Sequence, residues 1–484
     1  MPRLLFSVAL LFWAASLPAQ SLPPAVTQAL AAARIPEQAV AVTVLALDAP
    51  ADAPPLISHN AQAAMNPASV MKLVTTYAAL EILGPATTWK TGIWADVTPD
   101  PDGRLRGNLY LKGSGDPKLT MEHLWTLLRQ LRARGVQHIE GNLILDRSVF
   151  NVPPYNPAAF DNRPMRAYNV GPDGLLMDFR ALRFTLRPED DAIKVWLETP
   201  SENLWVDARL TPGKGGCNGW RDQLAIRYTP ARDHPGQLSI SGAYPVSCGE
   251  TTLALAPLPA DRHVEGLFRA LWKEQGGALR GQVKAGVLSP GAKLLVSQES
   301  PPVAEIIRDV NKWSNNVMAR QLFLSLGNRN NGDKNDKGGA TEEKARLRVQ
   351  DWLRRKGLEF PELVLENGSG LSRQERISAA HLARLLHAAW QSEAMPELLA
   401  SLPIAGQDGT MKKRLNHTAA ENRARIKTGT LDGVKTAAGY IQDIRGRRYA
   451  VTFFINHPNA AAGQNAMDAL MLWVAQGIGN SNRP

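Results

Sequence analysis

Ser69 and Lys72 form the one Ser-x-x-Lys sequence in a chain of 484 residues, and this spacing can support nucleophilic catalysis. Asn66 is a good N-cap and Pro67 a good first helical residue, so the sequence predicts a helix that begins here. Residues three apart share one helical face, which places the hydroxyl beside the amine. A lysine that loses its proton can then act as the base for the serine. The alternative is an ordinary helix start with a solvated lysine.

A serine–lysine site needs further groups that pass protons, hold the substrate amide, attract an anionic substrate end and receive the oxyanion. Two tripeptides supply such groups, Ser-x-Asn and Lys-Thr-Gly, and neither is specific because each occurs more than once. The Ser-x-Asn copies begin at Ser58, Ser201 and Ser314, and the Lys-Thr-Gly copies begin at Lys90 and Lys427.

Position along the chain separates these copies. Ser314 and Asn316 lie between two amphipathic helical segments, so a tight turn can project a hydroxyl and an amide. Lys427 lies in a β-prone segment, where Gly429 admits close backbone approach by a substrate. Lys90 follows the Ser-x-x-Lys motif closely in the sequence. It lies at the start of a region in which short predicted strands alternate with Gly/Pro-rich turns. We therefore expect the copies at 314–316 and 427–429 to be the functional ones.

In this order the three motifs resemble those of the penicillin-recognising serine enzymes. More specifically, the chain is similar to the DacB-type D-alanyl-D-alanine carboxypeptidase/endopeptidases, the class C low-molecular-mass penicillin-binding proteins. Further similar stretches begin at Lys112, Asp146, Ala167, Glu366 and Ser401, so the resemblance covers nearly the whole mature chain. It implies an α+β fold with an antiparallel five-stranded sheet flanked by helices, a helical lobe, and inserted β-rich α+β domains.

The resemblance also implies a role for each matching residue. The roles are nucleophile for Ser69, base for Lys72, proton relay to the leaving D-alanine for Ser314, substrate amide binding for Asn316, positive potential for Lys427, and carboxylate binding for Thr428 and Thr430. The oxyanion hole would be the backbone N–H groups of Ser69 and Thr430. Asp146 aligns with an acid thought to meet the free amino end of the diaminopimelate side chain; its alternative is a solvated turn aspartate.

The implied function is a serine peptidase that releases terminal D-alanine from peptidoglycan peptides and cuts their cross-links, with β-lactams as acylating inhibitors. One alternative is a β-lactamase, but no Glu-x-x-Leu-Asn segment lies between Ser314 and Lys427. The other alternative is a non-catalytic cell-wall-binding protein on the same fold. The glycine loops at 113–115 and 368–370 are interpreted as structural turns, because the chain has no Gly-x-Ser-x-Gly elbow.

The N-terminus predicts a secretory signal peptide at 1–19, with Arg3 before a short apolar run and small residues after it. The run is shorter than the roughly 20 residues that span a bilayer, although an uncleaved anchor is the alternative. We therefore expect a periplasmic protein. In an oxidising compartment Cys217 and Cys248 can form a disulfide, the alternative being two buried thiols. Two cysteines without a Cys-x-x-Cys give no support for a metal site, and no cofactor is expected.

The net charge of +10 favours anionic neighbours, such as an acidic polymer or a membrane face. The chain has no long basic block and no aromatic-basic module of the kind that binds nucleic acid. The oligomeric state cannot be read from the sequence.

The pattern of predicted elements changes along the chain, from helical segments to short strands separated by Gly/Pro-rich turns. This change predicts an outer domain interrupted by an insert. The predicted units are a catalytic domain at 20–90 and 291–484, an inserted domain II at 91–172 and 253–290, and an inserted β-rich domain III at 173–252. Strands at both ends of the chain, near 40–47, 56–59, 423–428, 436–443 and 448–456, are expected to share one sheet. A polar loop is predicted at 327–339.

Overall fold

The computed structural model describes residues 21–50, 52–231, 234–328 and 338–478. The predicted signal peptide and most of the predicted polar loop lie outside these residues. The helices of the described ranges are α1 (Pro24–Ala32), α2 (Lys72–Ile82), α3 (Met121–Ala133), α4 (Ala260–Glu274), α5 (Val303–Lys312), α6 (Asn316–Leu326), α7 (Glu342–Arg355), α8 (Ala379–Trp390), α9 (Met395–Ser401) and α10 (Gln464–Gln476). The strands are β1 (Val40–Ala46), β2 (Ile57–His59), β3 (Lys90–Ala95), β4 (Arg104–Leu105), β5 (Leu109–Lys112), β6 (His138–Ile139), β7 (Leu143–Asp146), β8 (Leu182–Glu189), β9 (Ala192–Leu197), β10 (Leu204–Gly213), β11 (Leu224–Thr229), β12 (Gly236–Pro245), β13 (Thr251–Leu255), β14 (Ala278–Leu279), β15 (Val283–Ala285), β16 (Lys293–Glu299), β17 (Ala424–Leu431), β18 (Val434–Gln442) and β19 (Arg448–Asn456).

The two ends of the chain form one antiparallel sheet in the order β17-β18-β19-β1-β2, which confirms the predicted five-stranded sheet. Both faces of this sheet are covered. Along β19, Val451 and Phe453 pack into the core shared with α1 and α10, whereas Ala450 and Phe454 pack into the core shared with the helical lobe. This alternation follows from the two-residue period of a strand, and it explains why the strand reads as a continuous apolar run.

The helical lobe consists of α2 and α5 to α9, which share one core. Its other helices surround α2, the helix that begins at Lys72. Every residue of α2 from Lys72 to Leu80 is buried, and the helix packs against α5 and α6. Tyr77 and Trp352 meet edge to face with ring centroids 5.0 Å apart. The indole N–H of Trp352 donates to Glu81 at 2.8 Å, so α7 is tied to the far end of α2. The position of Lys72 is therefore fixed by the lobe rather than by its own short helix.

The insert builds its own sheets between β3 and β16. One sheet has the order β15-β7-β5-β3-β16 and packs with α3 and α4 around an apolar core. Because β16 pairs with β3, this sheet includes residues beyond position 290, where the catalytic domain was expected to resume. Two three-stranded sheets, β13-β8-β9 and β10-β12-β11, share a separate core. Strands β10, β13 and β16 were not predicted, since their polar outer residues obscure the alternation.

A disulfide joins Cys217 to Cys248 at the edge of the β-rich part of the insert. Replacing both cysteines by serine should lower the free energy of unfolding of this region by about 3–4 kcal/mol, because the unfolded chain regains the entropy of a long loop. Acylation of the enzyme by penicillin should stay unchanged, since neither cysteine contacts a catalytic candidate. Urea unfolding followed by tryptophan fluorescence would measure the effect. Treating the wild-type chain with a reductant should reproduce it and should leave the double variant unaffected.

Candidate active site

The turn that carries Ser69 is not the start of an α-helix, and this corrects the sequence prediction. Residues Ala68–Met71 form a 3-10 turn, and the α-helix proper begins only at Lys72. The reason is local: Ala68 has φ +45°, a left-handed conformation that an α-helix excludes. The N-cap of the turn is Pro67 rather than Asn66, although the Asn66 side-chain oxygen accepts the Ala68 N–H at 2.9 Å. Ser69 therefore stands on a strained corner, a feature that clusters at functional sites.

The Lys72 amine has no exposure to solvent and contacts three oxygens from three parts of the chain. Its Nζ lies 3.0 Å from Ser69 Oγ and 2.6 Å from Asn316 Oδ1, and it also donates to the backbone carbonyl of Ser369. The structure thus brings the predicted nucleophile, base and amide binder together. The solvated lysine considered as the alternative is absent.

The Lys427 amine, from the third motif, is buried as fully as that of Lys72 and contacts Ser314 of the second motif. Its Nζ lies 2.8 Å from Ser314 Oγ and 2.6 Å from the carbonyl oxygen of Thr428. Ser314 has φ +55° in the turn between α5 and α6, and Asn315 caps α6 by accepting the Met318 N–H. The turn between two helices matches the sequence prediction, and it points the Ser314 hydroxyl toward β17.

Burial shifts the proton equilibria of both amines. Desolvation holds the pKa of Lys72 well below the ordinary lysine value; nearby Lys427 lowers this pKa further, Glu375 raises it and Arg320 lowers it. Desolvation alone lowers the pKa of Lys427 to about 7. A buried amine loses hydration that favours its charged form, so both shifts have the same physical origin. Burial therefore favours the neutral form of Lys72, which is the form that can accept a proton.

Two glycines let the chain close around Ser69 from opposite sides. A Cβ on Gly429 would lie 2.8 Å from Ser69 N and 2.2 Å from Thr436 Oγ1. A Cβ on Gly370 would lie 1.9 Å from the Ala68 carbonyl oxygen. Strand β17 therefore runs directly beside the Ser69 backbone N–H, which is the arrangement that an oxyanion hole shared with this strand would need.

The outer edge of β17 presents the carboxylate-binding candidates. Lys427 and Gly429 face the protein interior, while Thr428 is half-buried and Thr430 is exposed. The Thr428 hydroxyl donates to Thr410 Oγ1 at 2.8 Å, in a loop that no motif had singled out. Hydroxyls therefore line the strand next to the Lys427 amine.

Asp146 occupies a buried position in the insert. One carboxylate oxygen accepts the Ser148 N–H at 2.9 Å and the other accepts the Leu288 N–H at 2.8 Å, while Lys112 lies 3.7 Å away. The side chain has no exposed surface, so the solvated turn aspartate considered earlier does not describe it. Its contact with a substrate stays a prediction. Elsewhere in the described ranges, no group of three His, Cys, Asp or Glu side chains has the arrangement of metal ligands.

The extra motif copies lie in other surroundings. Lys90 begins β3 of the insert sheet and is exposed, and Ser58 is exposed on β2. Asn203, from the third Ser-x-Asn, bonds to Arg262 and Glu265 of α4. None of these residues has a recorded contact with the nucleophile.

The glycine loop at 368–370 has a larger part in the site than a structural turn. Its Ser369 carbonyl receives the Lys72 amine, and Gly370 packs on the Ser69 corner. The Ser369 hydroxyl is not a second nucleophile, because it donates to Asn367 Oδ1 at 2.6 Å. Sequence reasoning missed the loop because the working atom is a backbone carbonyl, which has no residue signature.

Two cavities lie where the insert meets the catalytic domain. One, of about 540 Å³, lies between the 313–317 turn and the insert residues Tyr168, Phe179 and Arg183. The other, of about 380 Å³, lies between the 366–374 loop and Tyr155 and Phe160 of the insert. The insert therefore lines one side of each of the two cavities.

The sequence profile of the D-Ala-D-Ala carboxypeptidase 3 (S13) family matches residues 22–477. The chain belongs to this family. It is a serine-type D-Ala-D-Ala carboxypeptidase of the penicillin-binding protein class, as the ordered motifs predict.

Individual relatives agree with the family assignment. A D-alanyl-D-alanine carboxypeptidase of an Actinomadura species is 28% identical over 447 residues, which are 88% of this chain and 79% of the relative. The crystal structure of penicillin binding protein 4 (dacB) from Haemophilus influenzae has a TM-score of 0.73 at 22% identity, covering 92% of this chain and 99% of that one. A second structure of the Haemophilus protein, complexed with a β-lactam, has a TM-score of 0.70 at 23% identity, with the same coverage of the two chains. These structural matches confirm the predicted penicillin-recognising fold.

The approach of β17 to Ser69 can be tested at Gly429. We expect Gly429→Ala to reduce the rate of acylation by penicillin about 100-fold, because the new methyl group must push the strand away from the Ser69 N–H by a large part of an ångström. Stopped-flow measurement of acylation would show this. Gly216→Ala is the matched control, since a Cβ there meets no atom within 4 Å. Equal rates in both variants would contradict the role of close approach.

Proposed function

We propose that Ser69 is the nucleophile with which this carboxypeptidase hydrolyses the D-Ala-D-Ala ends of peptidoglycan stem peptides and the D-Ala–diaminopimelate bonds of their cross-links. The observation that carries the proposal is the contact of 3.0 Å between Ser69 Oγ and a fully buried amine. Burial favours the neutral form of such an amine, and the amine lies within reach of the proton that it must accept.

The hydrogen bonds of Lys72 fit a neutral amine atom by atom. A neutral amine has two N–H donors and one lone pair, whereas an ammonium group has three donors and no acceptor. The two N–H groups can go to Asn316 Oδ1 and the Ser369 carbonyl, neither of which can donate to the amine. The lone pair then remains for the Ser69 proton. Attack of Ser69 Oγ on the carbonyl carbon of the penultimate D-alanine transfers this proton to Lys72.

The tetrahedral intermediate would place its oxyanion between the N–H groups of Ser69 and Thr430, the two donors on either side of the Gly429 contact. Cleavage of the C–N bond releases the leaving amine, which takes a proton from Ser314. Ser314 takes up the proton that Lys72 received from Ser69, so Lys72 is neutral again. Ser314 is suited to this relay because its hydroxyl contacts the Lys427 amine at 2.8 Å. Water then hydrolyses the Ser69 ester, which returns the serine and releases the shortened peptide.

The terminal carboxylate of a stem peptide would bind next to Lys427, with the hydroxyls of Thr428 and Thr430 as donors. Asn316 would hold the substrate amide on the other side of Ser69. The two cavities support action on cross-links, since a second stem peptide needs space beyond the reacting bond. Asp146 would contribute to recognition of the diaminopimelate amine only after a rearrangement that uncovers its carboxylate.

We propose a periplasmic location, which the predicted signal peptide at 1–19 and the Cys217–Cys248 disulfide both support. Across the ranges described, the structure has no helix long and apolar enough to cross a membrane. The positive net charge favours transient contact with anionic wall polymers or lipid headgroups.

Labelling with a fluorescent penicillin tests the nucleophile. We expect the wild-type chain to form one stable adduct per molecule and Ser69→Ala to form none, because the variant lacks the hydroxyl that attacks the β-lactam carbonyl. Mass spectrometry of the intact protein would detect the adduct. Ser58→Ala, at an exposed copy of the Ser-x-Asn motif, is the control and should label normally. Undiminished labelling of Ser69→Ala would refute the assignment.

Product analysis then separates the peptidase from its alternatives. Cross-linked and uncross-linked muropeptides should lose D-alanine or be split into monomers, while nitrocefin should acylate the enzyme without sustained turnover. Fast nitrocefin hydrolysis without action on muropeptides would favour a β-lactamase. No adduct and no product would favour a binding protein.

The pH dependence of kcat/KM should follow the charge of Lys427. Deprotonation removes the positive charge that attracts the substrate carboxylate, so kcat/KM should fall as pH rises through the pKa of this lysine. Because that pKa is about 7 in the free enzyme, the alkaline limb should begin well below the ordinary lysine value of about 10.4. A matched peptide with a terminal amide should react slowly and lack this limb. The same limb in both substrates would exclude carboxylate recognition by Lys427.

A further inference from the structure

Two buried residues of opposite charge, Glu375 and Arg320, lie behind the catalytic groups and are not used in the steps above. Both are nearly or fully inaccessible to solvent. An unpaired buried charge is costly, so a chain that keeps one needs the structure around it to compensate. The segments of the chain that Glu375 and Arg320 bind indicate that the two residues have a common role.

Glu375 holds the loop that supplies the Ser369 carbonyl. Its Oε1 accepts three successive backbone N–H groups, at 3.2 Å from Glu366, 3.0 Å from Asn367 and 2.9 Å from Gly368. Its Oε2 is buried without a partner among the described residues. Burial raises the pKa of Glu375, whereas the three N–H groups on one oxygen favour its carboxylate form and fix the path of the loop. The next residues of this loop contact the Lys72 amine and the Ser69 corner.

Arg320 lies on α6 one helical turn beyond Asn316, the other acceptor of the Lys72 amine. Its Nη1 donates to the Val170 carbonyl at 2.9 Å, and its guanidinium lies 5.3 Å from the centroid of the Tyr155 ring. Arg320 therefore ties the helix that carries Asn316 to the insert. Its Nε is buried without a partner in the part of the chain that the structure describes, so the charge is not neutralised by a bonded carboxylate.

We propose that Glu375 and Arg320 are paired positioning residues for Lys72. Each anchors the element that carries one acceptor of the amine, and their opposite charges act on the amine in opposite directions. The proposal rests on the proposed function, in which Lys72 is the base for Ser69.

The charged groups around Glu375 and Arg320 determine how each of these residues can affect the pKa of Lys72. The charges that act on Lys72 are those of Lys427, Glu375 and Arg320; Arg320 in turn faces Tyr155, Glu375, Glu342 and Glu366. Glu375 raises the pKa of Lys72 and Arg320 lowers it, while burial alone accounts for the shift of Lys427. A change at either positioning residue should therefore act directly on the titration of Lys72, and Lys427 should respond only through its repulsion by Lys72.

The test is the pH profile of acylation by a chromogenic β-lactam, with Glu375→Gln and Arg320→Met. Acylation needs neutral Lys72, so its acid limb follows the pKa of this lysine. Removing the negative charge should move the limb to lower pH, and removing the positive charge should move it to higher pH, each by about half a unit or more. Glu81→Gln, on the same helix as Lys72 but absent from the charges acting on it, should lower thermal stability without moving the limb.

A purely structural role predicts slower acylation in both variants with an unmoved limb, and this result, or two shifts in one direction, would overturn the proposal. Arg320→Lys keeps the charge and should keep the wild-type limb. If Glu375→Gln does not fold, the comparison of Arg320→Met with Arg320→Lys decides alone: only the first should shift the limb. Absence of any acylation in the wild-type chain would instead refute the function of Ser69 itself.

Discussion

The burial of the Lys72 amine is the constraint on which the site depends. A lysine removed from water must find hydrogen-bond partners for its amine, and these are Ser69, Asn316 on α6 and the Ser369 carbonyl in a loop. Three separate parts of the chain must therefore meet at one nitrogen atom. The helical lobe around α2 makes this possible, because it fixes the amine from behind while the other two elements approach from the sides.

The approach of those elements explains the unusual backbone of the site. Ala68 and Ser314 both have positive φ values, which are strained for residues with a side chain. Such strain persists only where surrounding contacts impose it. Gly429 and Gly370 supply these contacts, since each lies so close to the Ala68–Ser69 corner that a methyl group would overlap it. The tight corner exposes both the hydroxyl and the N–H of Ser69 toward the same side of β17.

The sequence predicts what is local or periodic, and it misses what depends on tertiary burial. The terminal sheet was predicted correctly, because apolar runs are visible without a structure, and the three motifs that residue types single out come together in the structure. The helix predicted to begin at Asn66 and Pro67 opens instead with a 3-10 turn from Ala68, since capping residues cannot reveal a left-handed Ala68. Arg320 and Glu375 look like surface residues in the sequence, and only the packing of α6 and the 366–370 loop makes them interior charges.

Two buried amines share the site, and in the described structure no carboxylate bonds to either. Their charges repel, so protonation of one disfavours protonation of the other and the two titrate as a coupled pair. In the proposed function the substrate would resolve this competition. Its terminal carboxylate would lie beside Lys427 and favour the proton there, which would leave Lys72 as the amine without one. An anionic substrate end would thus supply the counter-ion that neither amine has among the described residues and, by the same interaction, would keep Lys72 in the form that accepts the Ser69 proton.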